Sequence, residues 1–394
     1  MVDELADGAK GAALPLIRAD LGLSYAQIGL LIAVPLLVGS LIELPLGLVA
    51  GHGKVRHRLV LAGGVVVMAS LAAVAAAHSA TALLVALVAF FPASGAFVSL
   101  TQAALMDQAP GRQQQRMAAW NLAGSAGAVG GPLLLAGVVA AGGTWRSAYL
   151  LLAAAAGGAL AAAALAAPSR PPVRFDREAT AGADSAGVGD GDGDGGRRTS
   201  VREALNALRQ RDVARWAVLL EISDLLLDVL TGYIAIYLVD VAGASPAEAA
   251  LGVAVRLGAG LAGDALFVVI SRRVSGPAAL RVSAIAACGL YPAFLLIGWL
   301  PAKLAILAVL SMMTACWYPV VQAGLYTSLP GRSGIAVFLS SAAALLGAAG
   351  PLAVGFIAQQ AGLTWALAVL AAAPAAMLAA VPGAARRRVR KVRR

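Results

Sequence analysis

The chain has little charge, few aromatic residues and almost no cysteine or histidine. Of its 394 residues, 13% are charged and 5% are aromatic, whereas 60% are hydrophobic. Soluble domains carry about 25% charged residues, so this composition argues against a soluble globular protein. It indicates instead a polytopic membrane protein, in which abundant Ala and Gly allow helices to pack closely in lipid.

The scarce reactive residues also limit the chemistry. Cys288 and Cys316 both lie in apolar segments, and the three histidines lie in loops. This distribution supplies neither a disulfide framework nor a set of metal ligands. The sequence contains no HExxH motif, no Ser-His-Asp pattern and no phosphate-binding glycine loop. We therefore expect no enzymatic activity, no metal and no cofactor.

Long apolar segments are what the chain does contain. About twelve of them are near the ~20 residues that a helix needs to cross a bilayer, and none alternates as a strand would. Basic residues cluster in every second loop, which by the positive-inside rule places both termini in the cytoplasm. Trp145, Trp299 and Trp365 are expected at the outer interface. The basic residues of the inner loops are Lys54, Arg56, Arg58, Arg112, Arg116, Arg272, Arg273 and Arg332.

An internal repeat divides the chain into two halves. The segment QAALMDQAPGR (102–112) matches QAGLYTSLPGR (322–332) at an offset of 220. Both halves have the same charge sidedness, so they are parallel repeats. We therefore predict an all-α membrane protein with 12 transmembrane helices in two pseudo-symmetric six-helix bundles. In this register Met1 falls inside span one, so we expect the first helix to be truncated at its N-terminus.

The repeat sets the expected domain boundaries. We predict an N-terminal six-helix bundle over 1–167, a C-terminal six-helix bundle over 214–383 and a basic cytoplasmic tail over 384–394. Between the bundles, a cytoplasmic linker over 168–213 contains a disordered, Gly- and Asp-rich stretch. Because the tail follows a membrane helix, its expected partner is anionic lipid rather than nucleic acid.

Acidic residues occupy matching positions inside the apolar spans. At an offset of 221, DELADGAKG (3–11) lies over DLLLDVLTG (224–232), and ELPL (43–46) lies over DALF (264–267). An ionised Asp at the centre of a span costs about 2.5–3.5 kcal/mol, so these carboxyl groups should face a cavity or pair with a cation. The alternative is that ion pairs merely lock the helices together. The candidate proton-coupling residues are Asp7, Asp228, Asp3, Asp224, Glu43 and Asp264, and their candidate charge partners are Lys10 and Arg256.

Two motifs resemble those of the major facilitator superfamily. AGAVGGP (126–132), with Gly127, Gly131 and Pro132, resembles the core of its antiporter motif, and GLVAGHGKVRHR (47–58) resembles its gate-loop motif. That loop keeps Gly47, Gly53, Lys54 and Arg56, but Gly51 stands where the family has Asp. The stretch GAALPLIRADLGLSYAQIGLL (11–31) is similar to drug-exporting members, including fosmidomycin-resistance-like proteins.

The resemblance implies alternating access around one substrate site between the halves, lined by spans one, four, seven and ten. Those spans would supply Tyr233, Trp317, Tyr318, Gln102 and Gln322. We predict a secondary transporter of the plasma membrane, a monomer, that exports a drug-like or metabolite small molecule in exchange for protons. A proton symporter that imports a small polar solute, and a sensor or scaffold that transports nothing, remain the alternatives.

Overall fold

The computed structural model describes residues 2–49, 53–107, 113–165, 207–271, 273–328 and 347–381. These residues form helices and short turns, with no strand among them. The expected linker beyond residue 165 and the basic tail lie almost entirely outside the described residues. The all-α architecture predicted from the sequence is confirmed.

The first half of the chain contains six helices. Long apolar runs without strand alternation form them, and loops of a few residues separate most of them. They are α1 (Val2–Leu21), α2 (Tyr25–Val49), α3 (Gly53–Ala75), α4 (Ala80–Asp107), α5 (Gln113–Ala140) and α6 (Trp145–Leu165).

The described residues of the second half form eight helical segments. Spans ten and twelve are each broken into two segments. The helices are α7 (Arg211–Asp240), α8 (Pro246–Ile270), α9 (Gly276–Leu296), α10 (Leu300–Thr314), α11 (Trp317–Ser328), α12 (Ala349–Ala361), α13 (Leu363–Val369) and α14 (Ala372–Ala380). Eight helical stretches in the described part of the chain are long and apolar enough to cross a membrane.

The turns between helices reproduce the internal repeat. Four glycines have positive φ, which suits a residue without a side chain at a tight turn. Gly22 and Gly243 follow the first helix of each half, and Gly142 and Gly362 follow the fifth span of each half. These pairs are separated by 221 and 220 residues, as in the sequence repeat, so the two halves share the same turn geometry.

Within the described residues, the halves meet mainly along four pairs of helices. Helix α1 packs against α7 and α8, α2 packs against α12, and α5 packs against α8. In contrast, α4 packs against helices of its own half, and α11 packs against α7 and α9. The central space between the halves therefore lies beside α1 and α7, the two helices that carry the matching acidic residues.

Candidate functional site

A network of side chains joins the two halves at one end of the bundle. Arg18, near the end of α1, donates from Nη1 to Oδ2 of Asp240 at 2.5 Å, across the halves. The Tyr25 hydroxyl donates to the same oxygen at 2.9 Å. The Arg18 guanidinium also lies 4.2 Å from the centre of the Tyr25 ring. One carboxylate of the second half thus holds the ends of two helices of the first.

Close backbone packing continues below this network. The backbone N–H of Tyr25 donates to the Gln359 side chain at 3.1 Å, and the Tyr233 hydroxyl donates to the carbonyl of Pro351 at 2.8 Å. A Cβ added to Gly29 would lie 2.8 Å from that same carbonyl, so only glycine fits there without displacement. Helices α2 and α12 are therefore in backbone contact at this end.

We call the contacts from Arg18 and Asp240 through Gln359 and Tyr233 the seal, and close packing continues from it to the middle of the bundle. A Cβ on Gly11 would lie 3.3 Å from the carbonyl of Thr231, so α1 and α7 are close at this level. Gly11 and Arg18 are separated by seven residues, or about 10 Å of helix. We call the end that carries Arg18 and Asp240 the closed end. Because Asp7 and Asp228 below the seal are exposed, they reach solvent from the opposite end, the open end.

In the first half the matching carboxylate has a cation on its own helix. The Lys10 ammonium bonds to Oδ1 of Asp7 at 2.6 Å and lies 4.3 Å from the centre of the Phe91 ring. The Lys10 side chain is 18% exposed, whereas that of Asp7 is 57% exposed. The pair therefore presents its carboxylate to the space between the halves and keeps its ammonium against an aromatic wall.

In the second half the cation comes from a neighbouring helix. Arg256 on α8 is buried, and its Nη2 donates to the Thr231 hydroxyl at 2.6 Å and to the Leu227 carbonyl at 2.5 Å. Its Nε also donates to Thr231 at 3.1 Å, and its Nη1 donates to Ser311 at 3.4 Å. These four hydrogen bonds go to three neutral oxygens. Within the described residues Arg256 has no carboxylate within ion-pair distance.

Within the described residues, the Asp228 carboxylate interacts electrostatically with the Arg256 guanidinium but forms no hydrogen bond with it. The charges of Arg256, Asp7 and Lys10 all act on Asp228. Thr231 occupies in α7 the repeat position that Lys10 occupies in α1. The two aspartates therefore lie at equivalent positions but their cations do not, and of the two only Asp7 forms a direct ion pair within the described residues.

The remaining predicted acidic residues are more scattered. Asp3 accepts a hydrogen bond from the Ser94 hydroxyl of α4. Asp224 lies one helical turn before Asp228, whose charge acts on it together with that of Glu221. Helix α2 includes Glu43, but its side chain lies outside the described residues. The described side chains thus bring Asp7 and Asp228 together with their cations and place Asp3 in a separate contact.

A cavity of about 320 Å³ lies between α5 and the helices α7, α8, α10 and α11. Arg256 and Asp264 are its charged lining residues, and Tyr318, which is 45% exposed, also lines it. We call it the α5/α8 cavity. Its other lining residues are Ser125, Ala128, Val129, Leu227, Leu257, Gly260, Leu261, Ser311, Thr314, Ala315 and Pro319.

Several predicted cavity residues lie elsewhere. Trp317 is fully buried, and its indole N–H donates to Ser283 of α9 at 2.8 Å, so this side chain packs within the second half. Tyr233 is also fully buried and belongs to the seal described above. Gln322 is partly buried in α11, whereas the side chain of Gln102 lies outside the described residues. Among the predicted aromatic residues, only Tyr318 lines the cavity.

The antiporter-type motif is a site of close helix packing. A Cβ on Gly131 would lie 2.1 Å from the carbonyl of Leu5, and one on Gly8 would lie 2.2 Å from the carbonyl of Ala128. Helices α1 and α5 therefore touch through their backbones. Gly127 is buried nearby, and Pro132 lies 3.0 Å from the Gly8 position. In the gate-loop motif, Gly47 lies near the end of α2, and α3 begins at Gly53. The side chains of Lys54 and Arg56 lie outside the described residues.

Trp145, which was expected at the outer interface, and the charged residue Lys303 are both buried. Trp145 is 3% exposed, because it packs edge-on against Tyr149 and lies beneath the Arg146 guanidinium. Lys303 is 2% exposed, and its ammonium bonds to the Tyr237 hydroxyl at 3.0 Å and the Phe294 carbonyl at 2.7 Å. Trp299 and Trp365 are exposed, at 69% and 70%.

Sequence reasoning did not identify the residues of the seal or the residue that holds Arg256. Arg18 lies near the C-terminal end of α1, and Asp240 is the last residue of α7. Opposite charges at the same end of these two equivalent helices could have predicted the ion pair. Thr231 could have been found from the repeat, since it replaces Lys10 in register. Gln359 gave no signal, because a single amide near a helix end occurs in many proteins.

Comparisons with known proteins agree on the family. The model of the Major Facilitator Superfamily matches residues 3–343. Among solved structures, the chain is similar to a bacterial homolog of the human lysosomal transporter Spinster in an inward-facing and unoccupied conformation. The two sequences are 16% identical and the TM-score is 0.76, and the alignment covers 96% of this chain and 93% of that one. The nucleoside transporter NupG is 13% identical with a TM-score of 0.71, over 96% and 95%. No curated protein matched the sequence. The match over residues 3–343 shows that the chain belongs to the major facilitator superfamily and is a membrane transporter rather than an enzyme.

Proposed function

We propose that the protein is a proton-coupled secondary transporter that exports a drug-like or metabolite small molecule. The proposal rests on the surroundings of the Asp228 side chain. It lies between the halves, is exposed, and has beside it a buried cation whose hydrogen bonds go to neutral oxygens. A carboxyl in this position can take up and release a proton without breaking an ion pair.

The conformation fits one state of an alternating-access cycle. Arg58, in the first turns of α3, and Arg273, just after α8, lie toward the open end, and by the positive-inside rule that end faces the cytoplasm. We therefore assign the closed end to the outer side of the membrane and this conformation to an inward-facing state. The Spinster homolog adopts an inward-facing conformation, and the shared fold supports this assignment. We place the transporter as a monomer in the plasma membrane, with its basic tail on anionic lipid headgroups.

Two further features support proton exchange. Asp7 and Asp228 occupy equivalent positions in the two halves and act on each other electrostatically. A proton bound on either would change the charge between the halves, and alternating access would release it on the opposite side. The close α1–α5 packing at Gly8 and Gly131 occurs in the segment that resembles the family's antiporter motif.

One observation favours a symporter as the second candidate. Arg256 lines the α5/α8 cavity and is acted on by Asp228. If a substrate anion used Arg256 while Asp228 carried a proton, the two would bind together and travel in the same direction. The direction of proton movement separates the two candidates.

A toxicity panel tests the proposal. A drug-sensitive bacterium would express the wild type, Asp228→Asn or Asp20→Asn, with membrane levels checked by immunoblot. Asp20 pairs with Arg146 of its own half, so its variant is the matched control. We expect resistance to at least one compound in the wild type and the control and none in Asp228→Asn. Equal resistance in all three strains would remove Asp228 from coupling.

A further inference from the structure

The α5/α8 cavity has opposite charges at two positions along one helix. Arg256 and Asp264 both lie on α8 and both line the cavity. They are eight residues apart, or about 12 Å along the helix axis. The cavity therefore has a positive group toward one end and a negative group toward the other.

The two groups differ in what they already contact. Arg256 is buried and held at Nε and Nη2, while its Nη1 has a single long hydrogen bond of 3.4 Å to Ser311. Asp264 is exposed to the cavity, and its carboxylate forms no hydrogen bond or ion pair within the described part of the chain. Both groups thus keep capacity for a ligand, and the wall between them is made of apolar and small residues such as Leu257, Gly260 and Leu261.

We propose that this cavity binds an elongated zwitterion, with its anionic group at the Nη1 edge of Arg256 and its cationic group at Asp264. The apolar wall would contact the chain or ring that separates the two charges, and Tyr318 would cover one face of it. This rests on the proposed transport function, because it names the class of molecule that the same protein would carry.

The charges favour this class over singly charged molecules. A monocation at Asp264 would extend its apolar part toward a buried guanidinium, and a monoanion at Arg256 would extend toward an unpaired carboxylate. Only a molecule with both charges, separated by a spacer, satisfies both ends. A compact zwitterion such as an α-amino acid is too short to reach both groups.

Linear ω-amino carboxylic acids test the distance between the two charged groups, because each added CH₂ increases the separation of the amino and carboxylate groups. Binding of the series from glycine to ω-aminocaprylic acid would be measured on the full chain in nanodiscs, from the concentration dependence of thermal stabilisation. n-Octylamine and caprylic acid, each with one charge and the same chain length, would be measured in parallel. We expect ω-aminocaprylic acid to bind about tenfold or more tightly than glycine and than either singly charged compound.

Variants assign the cationic end of the ligand. Asp264→Asn should reduce the affinity for ω-aminocaprylic acid to that for caprylic acid, whereas Asp264→Glu and the control Asp20→Asn should preserve it. Equal binding of octylamine or of caprylic acid would overturn the proposal, as would an unchanged affinity in Asp264→Asn. Since these measurements use no proton gradient, their failure would leave the coupling role of Asp228 untouched, and loss of coupling in Asp228→Asn would leave this binding result unchanged.

Discussion

Neutralising Asp240 should open the closed end. Its carboxylate accepts from Arg18 at 2.5 Å and from Tyr25 at 2.9 Å, and the side chains of the ion pair are 29% and 21% exposed. A partly exposed ion pair contributes about 1 kcal/mol or less, and a hydrogen bond to a charged group contributes more than one to a neutral group. Asp240→Asn keeps one neutral acceptor, so we expect a loss of about 1–2 kcal/mol. That loss raises the population of the state in which this end is open, relative to the closed one, by a factor of about 5–30.

Distances between spin labels at the closed end measure this shift. Labels at Leu21→Cys in the first half and Val241→Cys in the second, with Cys288 and Cys316 replaced by Ala, report the separation of the halves. We expect Asp240→Asn to add a population with a longer distance.

Asp20→Asn is the matched control for this variant, because its ion pair with Arg146 joins two helices of the same half. It should leave the distance distribution unchanged. The account of the seal would be refuted if Asp240→Asn gave the wild-type distribution, or if Asp20→Asn produced the same opening.

Three other variants test the packing and the charge network. Gly131→Ala should lower the temperature of thermal unfolding, because its Cβ would lie 2.1 Å from a backbone oxygen and overpacking costs about 1–3 kcal/mol. Gly137→Ala, with nothing within 4 Å, should not, and equal losses in both would contradict the packing role. Thr231→Val should impair transport and thermal stability, because it leaves N–H groups of the buried Arg256 without acceptors at about 1–3 kcal/mol, whereas Thr231→Ser should retain both. Tyr25→Phe should populate the longer spin-label distance less than Asp240→Asn does, because it removes one hydrogen bond and keeps the ion pair. A larger population in Tyr25→Phe would show that the ion pair is not the main contact of the seal.

Hydropathy and the repeat predicted the overall architecture correctly for a physical reason. Each span must satisfy its backbone hydrogen bonds internally, so an apolar segment of sufficient length becomes a helix whatever its neighbours are. Equal offsets then require equivalent helices, and the positive-φ glycines Gly22 and Gly243 show the same turn at equivalent places. That register also puts Asp7 and Asp228 at equivalent positions of α1 and α7.

Side-chain direction was less predictable. Trp317 and Tyr318 are adjacent in sequence and therefore point about 100° apart around a helix, so only one of the two could face the cavity. The sequence offered no way to choose, and the hydrogen bond from Trp317 to Ser283 decides it. Lys303 is charged, yet its side chain is buried. Its ammonium is buried because two backbone carbonyls and a tyrosine hydroxyl near the end of α9 surround it.

Proton movement in everted membrane vesicles tests the coupling role of Asp228 most directly. Vesicles from cells that express the wild type, Asp228→Asn or Asp20→Asn would be acidified inside by respiration and then given a compound to which the wild type confers resistance. A pH-sensitive dye would report protons leaving the vesicles. The account predicts proton release with the wild type and with Asp20→Asn and none with Asp228→Asn. Release from Asp228→Asn at the wild-type rate would contradict it.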